Sequence, residues 1–380
     1  MTDLDEGLPR RDSPLERILH ERIARSGPLP FGAFMQLALY HPRHGYYSGG
    51  SERSGWSGHF LTSPELSPLF GTLWARAFEK VWRACGSPPE FTVVEVGPGE
   101  GGFAAAVLGS VSTDFARCLR YRLVERVAAL QERQRTLLEG LPVSWSASVA
   151  EVPRGRHGVV FANEVLDNLP VHLVERRDGA LLEVCVESAD GRLVETLRPP
   201  AGDELASWLR RAGAEVPEGH RFEVAMATES FVRRCAAVIE TGAVVLVDYG
   251  EESHELVRRP RGTLVAYSST GASEDVLARP GEQDVTAHAN WTIVRATCEG
   301  LDLRVVGPLP QRDVLLALGA REIGEDLRGD HARASAEGRG AAAVRALSLR
   351  SSLGAVLDPS GLGGLGVLLA TKGIPPDTLP

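Results

Sequence analysis

Residues 93–102 read VVEVGPGEGG, an apolar run that ends in an acid and a cluster of glycines. Glycines in such a turn let the backbone approach a ligand closely, and a following helix offers free N–H groups to an anion. Two cofactor classes use this arrangement. Gly97, Gly99 and Gly101 give the G-x-G-x-G of S-adenosylmethionine (SAM) sites; Gly97, Gly99 and Gly102 give the G-x-G-x-x-G of dinucleotide sites. Glu95 favours SAM: a carboxylate at the end of the run can engage the amino group of its methionine moiety, whereas it would repel a pyrophosphate at short range. Glu125, at the end of YRLVE, suits ribose hydroxyls in either class. Ser146, in PVSWSAS, is a candidate for the adenine border.

ANEVLDNLP, residues 162–170, carries Asn163, Glu164 and Asp167. In open α/β sheets ligands bind beyond the carboxyl ends of strands, which places these residues at a site. A helix starting here would put Asn163 and Asp167 on one face. Asp248 and Tyr249 end a further strand, and Asp284, Thr286 and His288 in DVTAHANW fall under the same rule. Neither a G-x-S-x-G elbow nor a cluster of metal ligands stands out, and no metal is expected. That suits methyl transfer, where the protein aligns an acceptor and takes a proton.

Positioning these groups needs alternating strands and helices. FTVVEV, YRLVE, PVSWSAS and GVVFANE read as four strands, separated by a helix after the glycine turn and another over 126–138. This rhythm predicts a parallel, doubly wound α/β sheet of Rossmann-like type. Ahead of it, Ser13 and Pro14 open a helix and residues 31–40 form a second, stopped by Pro42. The Gly- and Ser-rich stretch 41–65 reads as a long functional loop carrying Tyr46, Tyr47, Trp56 and Phe60. The two D-G turns within 171–225 predict an inserted β-meander. A helix near 228–240, a strand over 243–250, a second excursion at 262–290, a helix at 291–300, a strand in LRVVGPL, helical or partly mobile sequence over 326–350 and a last strand in LGVLLATKG follow. The expected organisation is an N-terminal helical region over 1–90, the first half of the core over 91–170, the meander over 171–227 and the second half over 228–380.

A net charge of −9 argues against a general nucleic-acid binder. Five scattered cysteines with no C-x-x-C pair argue against a disulfide framework. The polar N-terminus lacks an apolar signal core, and no stretch reaches the roughly 18 apolar residues of a membrane span. The expectation is a cytoplasmic protein without membrane or nucleic-acid partners, compatible with a homodimer.

Together, FMQLALYHPRHGYY, GHFLTSPELSPLFG, VEVGPGEGG, ANEVLDNLP, VVLVDYG and PGEQDVTAHANW resemble the MidA-type SAM-dependent methyltransferases, over most of the chain from about residue 27. This family includes mitochondrial arginine methyltransferases that assist respiratory complex I assembly. The resemblance implies a class I methyltransferase fold with an N-terminal helical addition and inserted segments, SAM as cofactor, and in some members a protein arginine as acceptor. It also implies that Thr62, Ser63 and Glu65 line the cofactor or acceptor pocket, that Gly97, Gly99 and Gly101 bind SAM, that Glu125 holds the ribose, and that Asn163, Glu164 and Asp167 form the N-E-x-x-D element. The chain departs from the family pattern at His59, where the family has Asp, at Glu100, where it has Arg, and in YSSTGASEDVLARPG, which lacks a histidine. Glu65, Glu164, Asp167 and Asp248 are the acids available to a guanidinium; His59 would serve a small-molecule acceptor as general base. Two other readings stand beside methyl transfer: a scaffold that keeps the fold, and an NAD-dependent oxidoreductase.

Overall fold

The structure, a computed structural model, describes residues 13–48, 62–269 and 271–380. Its centre is a seven-stranded sheet. In chain order the strands are β1 (Phe91–Val96), β2 (Leu119–Val124), β3 (Val143–Ser146), β4 (Gly155–Asn163), β5 (Ile239–Asp248), β6 (Arg304–Pro310) and β7 (Gly366–Lys372). Their spatial order is β3-β2-β1-β4-β5-β7-β6. The order reverses between β1 and β4, which brings the carboxyl ends of both to one crevice.

Every residue of β1 is buried, and its side chains alternate between two cores. Val93 joins one with Phe161 of β4, Val245 of β5 and the helix Pro68–Ala84. Val94 joins the other with Val160, Val244 and the helices Met226–Val238 and Trp291–Glu299. A strand covered on both faces reads as an unbroken apolar run, as FTVVEV and AVVLVD do. On the first face Phe103 and Phe161 stack with centroids 4.6 Å apart, and Trp74 and Phe78 close around Phe161.

The sheet is mixed, which corrects the expectation of a purely parallel one. β7 runs antiparallel to both β5 and β6. The reason lies in the connection. Three helices (Gln311–Ala317, Ala320–Ala336, Gly340–Val356) leave β6 and bring the chain back to the same end, where the Gln311 N–H donates to the Leu365 carbonyl at 2.7 Å. A chain that re-enters a sheet where it left it makes an antiparallel neighbour. The stretch 326–350 is correspondingly ordered in two long helices.

A third core builds a second lobe. Helices Pro14–Ser26 and Phe31–Tyr40 pack with the inserted meander, a five-stranded sheet that also recruits Leu29–Pro30 opposite Val186 and Cys185. Residues 265–286 form a three-stranded sheet whose Ala266 and Val285 sit in the same core. The hydrophobic cores thus divide the chain differently from the expected boundary at residue 90: residues 14–47 belong with the meander, and the helix Pro68–Ala84 belongs with the central sheet. No helix among the described residues is long and apolar enough to cross a membrane.

Phe78 is fully buried amid Trp74, Phe103 and Phe161. Phe78→Ala should therefore lower the unfolding free energy by roughly 3–5 kcal/mol. Urea titration would show this as a lower midpoint at unchanged slope; an unmoved midpoint would mean that this cluster does not hold the sheet.

Candidate active site

A cavity of about 950 Å³ opens at the carboxyl ends of β1, β2 and β4. It lies at the upper end of the range for small-molecule sites, with room for a nucleoside cofactor and an acceptor group. Its floor is the glycine turn. Gly97, Gly99 and Gly101 have φ of 67°, 53° and 89°, left-handed values that disfavour any side chain. A Cβ at Gly97 would meet Val165 Cγ2 at 2.8 Å. The turn is pinned from below by Gln134, whose Nε2 donates to the Gly99 carbonyl at 2.7 Å while its Oε1 accepts from Trp145 Nε1 at 2.9 Å.

The geometry separates the two spacings. In a dinucleotide fingerprint the third glycine lets the helix pack closely on the strand. Gly102 has no such duty: it is the first helical residue, and an added Cβ would meet nothing within 4 Å. Gly101 is the residue that needs to be glycine, as in G-x-G-x-G.

Two acids flank the turn. Glu95 is buried at the end of β1, and its Oε2 accepts the Tyr121 hydroxyl at 2.7 Å. Burial pushes its carboxyl up to about 8, against the lowering effect of that bond. Glu125 follows β2; its Oε1 accepts the Val127 N–H at 2.8 Å. Burial pushes it up to about 7, partly offset by hydrogen bonds. Both acids line the cavity, and both are costly to ionise until a cation or a set of hydroxyls arrives. Ser146 gives only its carbonyl, to the Glu125 N–H at 3.0 Å. The wall beside it is formed by Ala147 and Ser148 instead.

Beyond β4 the chain does not form the helix expected from the Asn163–Asp167 spacing. Glu164 takes a φ of 51°, and its N–H donates to the Val247 carbonyl at 2.8 Å. The wholly buried Asp248 explains the turn. Its Oδ2 accepts the N–H groups of Val165 at 3.0 Å, Leu166 at 2.7 Å and Asp167 at 3.3 Å, and its Oδ1 accepts that of Tyr249 at 2.8 Å. These N–H groups are drawn to a side chain from β5 rather than left to a helix.

This turn presents a ring of carboxyls. Glu164 lines the cavity; its Oε1 accepts from Asn163 Nδ2 at 2.9 Å and from the Ser63 N–H at 3.4 Å. Burial, reinforced by Asp248, pushes it up to about 8. Asp284 lines the opposite wall and accepts from Asn168 Nδ2 at 2.9 Å; the Tyr47 hydroxyl lies 3.0 Å from Asp284 Oδ2 and 2.8 Å from Asn168 Oδ1. Burial pushes Asp284 up to about 6. Burial, reinforced by the charges of Asp248, Asp284 and Glu164, pushes Asp167 well up, and burial pushes Asp248 up to about 7 against the lowering effect of its backbone hydrogen bonds. With four N–H donors Asp248 is the easier of the two to ionise; the buried Oδ1 of Asp167 has no partner, and neither acid is among the cavity-lining residues. Asn163 Oδ1 is likewise buried and unpartnered.

The remaining expected residues sit at the rim or outside it. Thr62 and Glu65 line the cavity, but the Glu65 Oε2 accepts the Thr62 N–H at 3.2 Å and so caps its own short helix. The Ser63 hydroxyl faces away from the cavity and accepts from Gln311 Nε2 at 3.0 Å. Glu100 pairs with Arg133 at 2.7 Å. His59, Trp56 and Phe60 lie outside the described residues. Thr286 and His288 are not among the cavity-lining residues. Among the described residues no group of His, Cys, Asp and Glu is arranged to hold a metal ion. Gln134, Tyr121 and Asn168 were not singled out from sequence; a buried polar residue at an inward-facing helix position, as Gln134 is between Leu130 and Leu138, is the one signal that could have been read.

Residues 73–309 match a family described as putative S-adenosyl-L-methionine-dependent methyltransferases. Over 341 residues the chain is 30% identical to the mitochondrial protein arginine methyltransferase NDUFAF7 of Mus musculus, covering 81% of this chain and 74% of that protein. The Homo sapiens protein of the same name is 27% identical over 337 residues, with 81% and 74% covered. A crystal structure from Burkholderia thailandensis, bound to S-adenosyl-homocysteine, is 30% identical, covers 97% of this chain and 96% of that one, and superimposes with a TM-score of 0.83. The cofactor is SAM.

Gly101→Ala should cost about 1–2 kcal/mol of stability, the penalty of a left-handed non-glycine residue, whereas Gly102→Ala should cost nothing. The reverse pattern in thermal melts would restore the dinucleotide spacing. Glu95 makes a second test. Between pH 4.5 and about 8 its folded form holds more protons than its unfolded form, so its contribution to the cofactor-free protein is present at low pH and lost as pH rises through that window. The slope approaches about 1.4 kcal/mol per pH unit. Glu95→Gln should flatten this decline, and melts with the same pH slope in both proteins would count against a buried, proton-holding Glu95.

Proposed function

The chain belongs to the S-adenosylmethionine-dependent methyltransferase family, and we propose that its acceptor is the guanidinium of an arginine in a protein. The observation that carries this is the pair of buried carboxyls that line the cavity, Glu164 and Asp284, both coupled electrostatically to Asp167, whose buried Oδ1 has no partner. An unmatched acceptor in an acidic ring calls for a donor-rich cation. A guanidinium offers five N–H donors in a planar fork, is always charged, and pairs with carboxylates two bonds at a time. The names of the mouse and human relatives support the same acceptor.

Each residue then has a role. Glu95, the glycine turn and Glu125 hold the cofactor, with Asn163 at its acceptor end and Thr62 at the rim. Bound there, SAM supplies an electrophilic methyl group on a sulfonium. Glu164 and Asp284 orient the guanidinium from opposite walls. Tyr40, Tyr46 and Tyr47 line the same space and exclude water from it. When a guanidinium nitrogen gains the methyl group it must shed a proton, and Glu164, once charged, receives it. Glu65 stands further out as a rim acid. Five cysteines, none disulfide-bonded among the described residues, suit a reducing compartment such as the cytoplasm.

Glu164→Gln and Asp167→Asn should each lower kcat/KM on an arginine peptide by about a hundredfold or more, while the affinity for S-adenosylhomocysteine stays within about threefold. Full activity in both variants would remove the carboxyl ring from the mechanism. Because Glu164 must be charged and is pushed up to about 8, the wild-type rate should rise about tenfold per pH unit below that value and level off above it. A rate already flat from pH 6 upward would mean that no raised carboxyl limits the reaction.

A further inference from the structure

The cavity carries charges of both signs. Glu164 and Asp284 line it near the turn after β4, and Arg126, immediately after the ribose-binding Glu125, lines it together with Glu95, Glu100, Arg133 and Arg234. The Arg126 guanidinium carbon sits 4.0 Å over the centroid of the Tyr40 ring. Tyr40 is itself fixed, its hydroxyl donating to the Asn168 carbonyl at 3.1 Å, one residue from Asp167. Among the described residues the exposed Arg126 guanidinium has no hydrogen-bond or salt-bridge partner, though its charge acts on the adjoining Glu125, whereas Arg133, which lines the same cavity, is paired with Glu100.

Stacking on a ring uses the face of a guanidinium and leaves its edge, with the N–H donors, free. An arginine held in this way is oriented for a carboxylate arriving in its plane. It is also a poor neighbour for a cationic acceptor unless an anion accompanies that acceptor, because like charges at short range repel. Two carboxyls, Glu164 and Asp284, and a stacked arginine without a side-chain partner in one cavity match a segment that is cationic at one point and anionic close by.

We propose that Arg126 is a specificity-determining residue that receives the carboxylate of an acidic residue next to the acceptor arginine, so that the substrate class is arginine in an acidic sequence context. This rests on the arginine reading above. The side-chain face is kept by Tyr40, and the edge selects the neighbour.

The test compares peptides with one arginine flanked by alanine, by glutamate or by lysine, together with free arginine, on the wild type and on Arg126→Ala, Arg126→Lys and Arg126→Glu. The wild type should prefer the glutamate-flanked peptide over the alanine-flanked one in kcat/KM by about tenfold or more, the worth of one charge-assisted bond. Arg126→Ala should level that ratio, Arg126→Lys should keep part of it, and Arg126→Glu should invert it toward lysine flanks. The affinity for S-adenosylhomocysteine, measured by calorimetry, should stay within about threefold in all three variants. A large loss of that affinity would assign Arg126 to the cofactor's carboxylate instead and overturn the proposal. Equal use of all flanks by the wild type would overturn it too, as would free arginine matching the glutamate-flanked peptide, since an α-carboxylate would then be the partner. If the wild type methylates none of these probes, the arginine reading itself fails; if it methylates them all alike, only the role of Arg126 does.

Discussion

The site depends on one buried carboxylate. Asp248 ends β5 and takes four backbone N–H groups, three of them from the turn that follows β4. Those donors offset part of the cost of burying a carboxyl, and they lose their freedom to make a helix. Glu164 is thereby held in a left-handed conformation that costs about 1–2 kcal/mol in a free chain. Its side chain, with that of Asn163, then faces the cavity instead of circling a helix axis. Two neighbouring strands, β4 and β5, cooperate here: one supplies the reactive groups and the other fixes their direction.

The same interaction sets the electrostatics. With Asp248 satisfied, the nearby acids must bear the repulsion, and Asp167 keeps a proton until something cationic replaces it. Tyr47 and Asn168 hold Asp284 on the facing wall. Glu164, pushed up to about 8, is likewise costly to charge without a cation beside it. A site of this kind discriminates against neutral ligands without exposing a cluster of charge to solvent.

What could be read from sequence was local. The glycine turn, Glu95, Glu125 and Asn163-Glu164 each follow an apolar run, and a strand end in an α/β sheet is a place as well as a conformation. What could not be read was decided by residues far apart. Asp248 lies some eighty residues beyond the N–H groups it binds, so the 162–170 segment taken alone looks like the start of a helix. The Tyr47–Asn168–Asp284 contact joins three distant segments and has no signature in any one of them. FTVVEV and LGVLLATKG are alike as apolar strands; that one is parallel and the other antiparallel is settled by where the intervening helices return the chain. The short capped helix at Ser63–Leu66 shows a related effect, since Glu65 spends its carboxylate on a local N–H rather than on the cavity.

The last strand of the chain lies inside the sheet, between β5 and β6. Until residue 372 has been synthesised, the ten-residue strand β5 has one bare edge, and its unbroken apolar run is open to any other strand. The second lobe is delayed in a similar way, because Leu29 and Pro30 wait for Val186 and Cys185 before their core can close. The core of that lobe is complete once Ile293 is made, whereas the central sheet waits for residue 372. The sheet is thus dominated by long-range contacts that form slowly, and its bare edge needs shielding until the last strand arrives.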